Sequence, residues 1–375
     1  MIIHFSILGI IIIVSLLWEG RIKRNNIRAI YDGGISSTYI SSLTPWIIVF
    51  GYIAFLAAMR TKYNDTYVYI NSFENLPGTW EAAISVLTGN GKDKGFDFLG
   101  NIFKCFISED YHMWFLAFAI VEAIILARVM RRETVSLWDA CFYFFVSTLY
   151  VNNFSMMRQW FAVVVLFGAS KFIKQKRFIS FLIICLLAAQ IHNSAYLMIV
   201  VYFLVQGKPW SRKQNIMIFA FAIAMLLLNP LLETTSDLLQ DTTYDYVVNT
   251  MQTGNGSSPV RILISAVPVL IAFIYRKRIN EADDMINLCV NMSLINLLLN
   301  MVATFTSGLY VIRLSTYMNM YNVILYPYLL NVSVSKMNKK FIKVGFYVFF
   351  FLLYIYQMKH QGEWYYVSDV LGVFI

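Results

Sequence analysis

The stretch Ile2–Arg28 reads IIHFSILGIIIIVSLLWEGRIKRNNIR. Its apolar part, Ile2–Trp18, is close to the ~20 residues that a helix needs to cross a bilayer, and basic residues follow it. A cleaved signal peptide carries its positive charge before the apolar run rather than after it. We therefore expect a retained membrane span whose N-terminus faces the outside.

Apolar runs and short charged clusters alternate along all 375 residues. Hydrophobic residues make up 59% of the chain and charged residues 14%, whereas soluble domains carry about 25% charged residues. This composition predicts an all-α, polytopic transmembrane helical bundle that forms a single integral membrane domain over residues 1–375. We place about twelve spans, at residues 2–18, 45–59, 113–127, 137–151, 160–170, 178–190, 195–206, 215–231, 259–275, 284–303, 309–330 and 341–357.

Most of the 30 lysines and arginines lie in a subset of the segments that connect these spans. The positive-inside rule places such segments in the cytoplasm, so both termini are predicted outside. Because the inner segments are short, they leave no room for a cytoplasmic nucleotide-binding domain. The inner basic residues are Arg21, Lys23, Arg24, Arg28, Arg128, Arg131, Arg132, Lys171, Lys174, Lys176, Arg177, Lys208, Arg212, Lys213, Arg276, Lys277, Arg278, Lys336, Lys339, Lys340 and Lys343.

Two predicted outer loops are long, at residues 60–112 and 231–258. In the first, four apolar residues recur near the helical period, which predicts a short helix lying in the membrane interface. In the second, three aspartates form one helical stripe; we interpret it as a solvated acidic face, with a hard-cation site as the alternative. These residues are Phe96, Leu99, Phe103 and Phe106, and Asp237, Asp241 and Asp245.

Arginines on the predicted outer side run against the charge bias that sets the topology. Arg60 follows the second span, Arg158 lies in the turn before the fifth, and Arg313 lies within the eleventh. A guanidinium matches phosphate oxygens with two parallel hydrogen bonds. We therefore predict that these arginines bind a lipid-linked phosphate. The alternative is that they anchor spans or form ion pairs within the bundle, with Asp65 or Glu122 as partners.

Two outer residues are candidates for a catalytic base, His192 in the turn after the sixth span and Asp65 in the first long loop. An imidazole is mostly neutral at pH 7 and can accept a proton, so His192 is the preferred base. A structural histidine is the alternative. The cysteines and histidines show no metal-ligand spacing, so we predict neither a metal nor another cofactor. The net charge of +9 forms no continuous stripe, and we expect no nucleic-acid partner.

Tyrosines accompany the outer arginines and suit a sugar, whose CH face packs on aromatic rings. Tyr69 lies in the first long loop, a few residues after Arg60. Arg313, Tyr317 and Tyr321 recur at i, i+4 and i+8, which predicts one helix face. A sugar-lined path and a packed aromatic seam are equally compatible with that pattern.

Several short motifs occur between the predicted spans. In chain order they are Arg60–Phe73, Lys94-Gly95-Phe96-Asp97-Phe98-Leu99, Tyr150–Ala162 with Arg158-Gln159, His192-Asn193-Ser194-Ala195 and Arg313–Pro327. Their order resembles the EpsG-like branch of Wzy-type polysaccharide polymerases, over roughly residues 45–330. One departure is Tyr63-Asn64-Asp65, where the family often has Gly-Thr-Asp.

The resemblance implies a membrane glycosyltransferase of GT-C-like architecture in the bacterial cytoplasmic membrane, with its active site outside. Such an enzyme transfers a growing glycan from undecaprenyl pyrophosphate to a lipid-linked repeat unit, and Gln159 would contact that substrate beside Arg158. Implied partners are undecaprenyl-pyrophosphate-linked glycans, the lipid bilayer, and the flippase and chain-length regulator of the same pathway. Alternatives are a lipid-linked oligosaccharide flippase or other transporter, an O-antigen ligase-like transferase, and a membrane acyltransferase.

Overall fold

The structure is a computed structural model that describes residues 2–31, 42–89, 91, 93–227, 256–306, 308–333, 336–360 and 365–374. Within these ranges every named element is a helix. The chain forms two compact units, Met1–Ile199 with Tyr326–Ile375, and Val200–Leu325. The outer loop at 231–258, with its three aspartates, lies almost entirely outside the described residues.

The helices up to residue 204 belong mainly to the first unit. They are α1 (Ile2–Tyr31), α2 (Thr44–Ala58), α3 (Thr66–Glu74), α4 (Trp80–Thr88), α5 (Lys94–Phe106), α6 (Tyr111–Glu133), α7 (Leu137–Val146), α8 (Val151–Ser155), α9 (Met157–Gly168), α10 (Ser170–Lys174), α11 (Phe178–Ile191), a 3₁₀ turn (Asn193–Tyr196) and α12 (Leu197–Leu204).

The remaining helices complete the second unit and return the chain to the first unit. They are α13 (Arg212–Leu226), α14 (Val260–Ile274), α15 (Arg276–Asn280), α16 (Asp284–Phe305), α17 (Gly308–Asn319), α18 (Asn322–Tyr328), a π-helix (Leu329–Ser333) and α19 (Lys336–His360).

Four described segments are long and apolar enough to cross a membrane: Ile2–Ile22, Tyr111–Glu133, Asp284–Phe305 and Lys339–Lys359. Other apolar helices, such as α2 and α11, are shorter than a bilayer requires. The all-helical class is thus confirmed, in a form consistent with a membrane protein. Twelve crossings and a GT-C-like architecture stay predictions.

Some predicted spans are interrupted, and the backbone shows why. The span predicted at 137–151 ends as α7 at Val146, because the chain then turns through Thr148, whose φ of 59° is left-handed. In the second unit α17 ends at Asn319, before the predicted end of the eleventh span. Hydropathy counts apolar residues and does not register such breaks in the helical hydrogen-bond ladder.

The first long loop folds into α3, α4 and α5. The helix predicted from the spacing of its aromatic residues is present as α5. Phe96 and Phe103 of α5 are buried against Trp114 of α6, at ring-centroid distances of 5.5 and 5.2 Å. These two side chains therefore pack on protein, whereas Leu99 and Phe106 are exposed. One part of the apolar face of α5 therefore contacts α6, and the other part is exposed at the surface of the protein.

The C-terminal tail is attached to the start of the same loop. Thr61 N–H donates to Val367 O at 2.9 Å, and Val367 N–H donates to Lys62 O at 3.0 Å. Tyr366 OH donates to Leu56 O at 2.8 Å. Both segments were predicted on the outer side, so these contacts join elements that the topology assigns to one side.

A buried polar network joins elements at the predicted inner side of the same unit. Asp139 on α7 is fully buried and accepts from Lys343 Nζ on α19 at 3.0 Å. Asn331 of the π-helix donates to the same carboxylate at 2.6 Å, and Tyr347 OH donates to its other oxygen. A buried carboxylate needs such partners, so this network fixes α7, the π-helix and α19 together.

Candidate functional site

Arg158 is the centre of a charged cluster on the predicted outer side of the first unit. It is the second residue of α9, and its side chain is 23% exposed. Its Nη1 lies 3.6 Å from Asp93 Oδ2 and its Nη2 lies 3.9 Å from Asp97 Oδ1. Nη2 also donates to Ser72 Oγ at 3.4 Å. We call Arg158, Asp93, Asp97 and Ser72 the Arg158 cluster.

Aromatic rings cover one side of the Arg158 guanidinium. Its Cζ lies 4.5 Å from the ring centroid of Phe96 and 6.0 Å from that of Tyr69. A cation within about 6 Å of an aromatic face is attracted by the ring quadrupole. Phe96 is itself packed against Trp114 and Phe118. The Arg158 guanidinium therefore lies over an aromatic ring that is itself held by packing within the protein.

The start of α5 brings the two aspartates to Arg158. Asp93 has a left-handed φ of 53°, and its Oδ1 accepts the Asn193 N–H at 3.1 Å. Gly95 lies against the end of α11, where an added Cβ would be 2.7 Å from Gln190 Cβ and 2.9 Å from Gln190 O. Only a residue without a side chain permits this approach, so the glycine sets the position of both carboxylates.

The Asp97 carboxyl is electrostatically unusual within this cluster. Burial raises its pKa above the ordinary value, the positive charge of Arg158 opposes that rise, and the negative charge of Asp93 adds to it. Its side chain is nevertheless 34% exposed, so solvent reaches it. A partly open carboxylate with a raised pKa is a better proton acceptor near neutrality than an ordinary one.

His192 caps the 3₁₀ turn that follows α11. Its Nδ1 lies 2.7 Å from Ser194 Oγ and accepts the Ser194 N–H at 3.3 Å. In the neutral tautomer that accepts at Nδ1, the proton is on Nε2, and the Nδ1 lone pair that would take up a further proton is engaged by Ser194. This geometry is that of a structural histidine, which was the alternative to a catalytic base. The role of His192 as a base stays a prediction.

Arg60 lies inside the protein and is only 1% exposed. Its Nε donates to Thr66 Oγ1 at 3.1 Å, and its Nη1 donates to Ala57 O. Its Cζ lies 4.2 Å from the ring centroid of Phe115. The buried Glu122 interacts with it electrostatically. These contacts match the structural alternative, and pyrophosphate binding by Arg60 stays a prediction.

The other predicted residues of the first unit are distributed around this region. Asp65 is the half-buried N-cap residue of α3, without a capping hydrogen bond from its side chain. Tyr69 lies beside Arg158, as described above. Gln159 follows Arg158 in α9 and is 4% exposed. Of these three, only Tyr69 both contacts Arg158 and retains partial exposure.

Arg313, Tyr317 and Tyr321 belong to the second unit. Arg313 is half-buried in α17 and Tyr317 is buried one turn later in the same helix. Tyr321 lies in the turn after α17 ends at Asn319. The expectation that all three share one helix face is therefore wrong for Tyr321, because the helix stops before reaching it. Their binding roles stay predictions.

Sequence reasoning did not assign a role to Asp93, Asp97 or Ser72. It named Asp65 and Glu122 as candidate partners for the outer arginines, whereas Arg158 pairs with Asp93 and Asp97. The available signal was two aspartates four residues apart at the start of a predicted helix. Asp93 precedes that helix with a left-handed φ, so helical spacing does not place it beside Asp97, and the partner across the fold is not encoded in local pattern.

No curated protein matches this chain, and no solved structure does. A family model described as the EpsG family matches residues 43–368. That range includes the Arg158 cluster, His192 and the segment that the C-terminal tail contacts. The chain belongs to the EpsG family.

Proposed function

We propose that this chain is a polysaccharide polymerase of the bacterial cytoplasmic membrane. It transfers a growing glycan from undecaprenyl pyrophosphate to the sugar end of a lipid-linked repeat unit on the outer face. Membership of the EpsG family indicates a membrane protein of polysaccharide biosynthesis. The observation that carries the finer proposal is the Arg158 cluster, a partly exposed guanidinium with carboxylates and aromatic rings beside it.

The chemistry requires stabilisation of the leaving pyrophosphate. Preorganised cationic donors act where negative charge develops in the transition state. Arg158 suits that role because its carboxylate contacts, at 3.6 and 3.9 Å, lie at the long end for ion pairs and leave its donors able to turn to a phosphate. Arg313 and Arg60 are proposed as further pyrophosphate ligands, and Tyr69, Gln159, Tyr317 and Tyr321 as sugar contacts.

Removal of the Arg158 guanidinium tests the proposal. Purified full-length protein in liposomes would receive lipid-linked repeat units extracted from cells that lack the gene, and polymer would be measured. We expect Arg158→Ala to lower turnover about 10²–10³-fold, as loss of one preorganised donor does elsewhere. Arg158→Lys should not restore full activity, because it keeps the charge but loses the planar fork.

The matched control is Arg177→Ala, which removes an exposed arginine from the predicted inner side. This variant should polymerise like the wild type. Wild-type turnover in Arg158→Ala, at equal expression, would contradict the assignment.

Gene deletion distinguishes a polymerase from a flippase. Loss of a polymerase leaves single lipid-linked repeat units on the outer leaflet, whereas loss of a flippase leaves them on the inner leaflet. We expect outer single units, detected by a membrane-impermeant reagent for the sugar. Accumulation on the inner leaflet would overturn the proposal.

A further inference from the structure

The two aspartates of the Arg158 cluster differ in the contacts that their carboxylate oxygens make. Asp93 accepts the Asn193 N–H and lies 3.6 Å from Arg158. The Asp97 side chain accepts no hydrogen bond within the described part of the chain, and its contact is the 3.9 Å ion pair. It is also the more exposed, at 34% against 16%. Asp97 therefore retains lone pairs on an accessible carboxylate beside a cation.

The chemistry of Asp97 and Arg158 suits a single displacement at an anomeric carbon. In such a displacement the acceptor oxygen gains a bond as the pyrophosphate oxygen departs from the opposite face. A base is needed beside the acceptor hydroxyl and a cation beside the leaving group. Asp97 and Arg158 provide one of each, and their 3.9 Å ion pair opens on binding to admit the sugar between them.

We infer that Asp97 is the general base of this site, an inference that rests on the proposed polymerase function. As the acceptor oxygen bonds to the anomeric carbon, its proton moves to the Asp97 carboxylate. The bond from the anomeric carbon to pyrophosphate breaks, and its electron pair leaves with the undecaprenyl pyrophosphate beside Arg158. No oxidant, metal or further reactant is required, and the anomeric configuration inverts.

The surroundings of Asp97 support a base that works near neutrality. Its pKa is raised by burial and by Asp93, with Arg158 acting in the opposite direction. The base must be ionised, so turnover should fall as the pH drops through the raised pKa of Asp97. Other titratable groups on α3 to α6 and in the turn after α11 include Tyr69, Glu74, Glu81, Lys94, Lys104, Cys105, Tyr111, His112, Glu122 and His192.

The alternatives differ from Asp97 in their geometry. His192 uses Nδ1 to hold Ser194, which fixes the turn beside Asn193. Asp65 is the N-cap residue of α3, and within the described part of the chain it forms no ion pair with Arg158. Asp97 alone of these three forms an ion pair with Arg158 within the described residues.

The test compares Asp97→Asn with Asp97→Glu, His192→Ala and Asp93→Asn in the liposome assay. We expect Asp97→Asn to lower kcat about 10²–10⁴-fold, to leave KM for the lipid-linked donor within a few-fold, and to abolish the acidic limb of the pH profile. Asp97→Glu should keep part of the turnover and a shifted acidic limb. His192→Ala should keep the limb, and Asp93→Asn should keep it but shift it to lower pH, because the Asp93 charge raises the pKa of Asp97.

Several results would overturn the inference. They are wild-type turnover in Asp97→Asn, survival of its acidic limb, loss of that limb in His192→Ala, or a glycan covalently attached to Asp97. If Asp97→Asn does not fold, the inference is overturned instead by a folded Asp97→Glu variant whose acidic limb is not shifted from that of the wild type. Failure of the wild type to polymerise would instead reject the polymerase function, whereas an active wild type with an equally active Asp97→Asn rejects only the base.

Discussion

At the scale of single residues, the buried pair of Asp139 and Lys343 gives a direct stability prediction. Asp139 is fully buried and Lys343 is 17% exposed. Lys343→Met removes the cation and leaves an uncompensated buried carboxylate, which costs about 3–5 kcal/mol. We expect that loss in the free energy of unfolding of purified protein in detergent.

A double variant tests the cause of that loss. Asp139→Asn removes the charge but keeps an oxygen that can accept from Asn331 or Tyr347. Asp139→Asn with Lys343→Met should therefore be more stable than Lys343→Met alone. If the two substitutions add, the pair is not electrostatically coupled and the explanation fails.

The position of Arg158 could be predicted from the sequence, whereas its ion-pair partners could not. Its outward position against the positive-inside bias identified it from sequence as a candidate site residue. Its carboxylate partners lie more than 60 positions earlier, at Asp93 and Asp97. Local spacing has no access to such contacts, because they depend on how α5 packs beside α9.

At the scale of elements, the site depends on how closely α5 approaches α11. Gly95→Ala would place a Cβ within 2.7 Å of Gln190 Cβ and 2.9 Å of its backbone oxygen. Overpacking of this kind typically costs about 1–3 kcal/mol. We expect a loss of stability of that size, with a fall in polymer formation because Asp93 and Asp97 move with the helix.

Gly91→Ala is the control, since a Cβ there meets nothing within 4 Å. It should change neither the unfolding curve nor polymer formation. Equal behaviour of the two variants would show that the close approach at Gly95 does not position the site.

Element boundaries were only partly predictable. The period of Phe96, Leu99, Phe103 and Phe106 predicted α5, because a helical period is a local property. The same period did not reveal which of these side chains face protein. Trp114 and Phe118 of α6 decide that, by covering Phe96 and leaving Leu99 and Phe106 outward.

At the scale of the whole molecule, native cysteines provide a test of the predicted topology. Cys105 is exposed on α5, whereas Cys141, Cys185 and Cys289 are buried. We expect a membrane-impermeant maleimide to label the wild type in intact cells, and to lose that labelling in Cys105→Ser. The reason is that the 60–112 loop is predicted outside.

The inner side is tested in the Cys105→Ser background. Gln175→Cys places a thiol in the exposed turn after α10, which the basic cluster assigns to the cytoplasm. It should label only after the membrane is permeabilised. Labelling of Gln175→Cys in intact cells, or none at Cys105, would reverse the predicted orientation.

The sequence by itself determined the helical class, the membrane-like composition and the family, because composition, hydropathy and ordered motifs are readable along the chain. The tertiary structure decided which charges meet. Arg158 forms ion pairs with Asp93 and Asp97. Arg60 is buried against Phe115, and the His192 ring contacts Ser194. The physical reason is that ion pairs, burial and the pKa of Asp97 arise from contacts between distant segments, which exist only once the helices have packed.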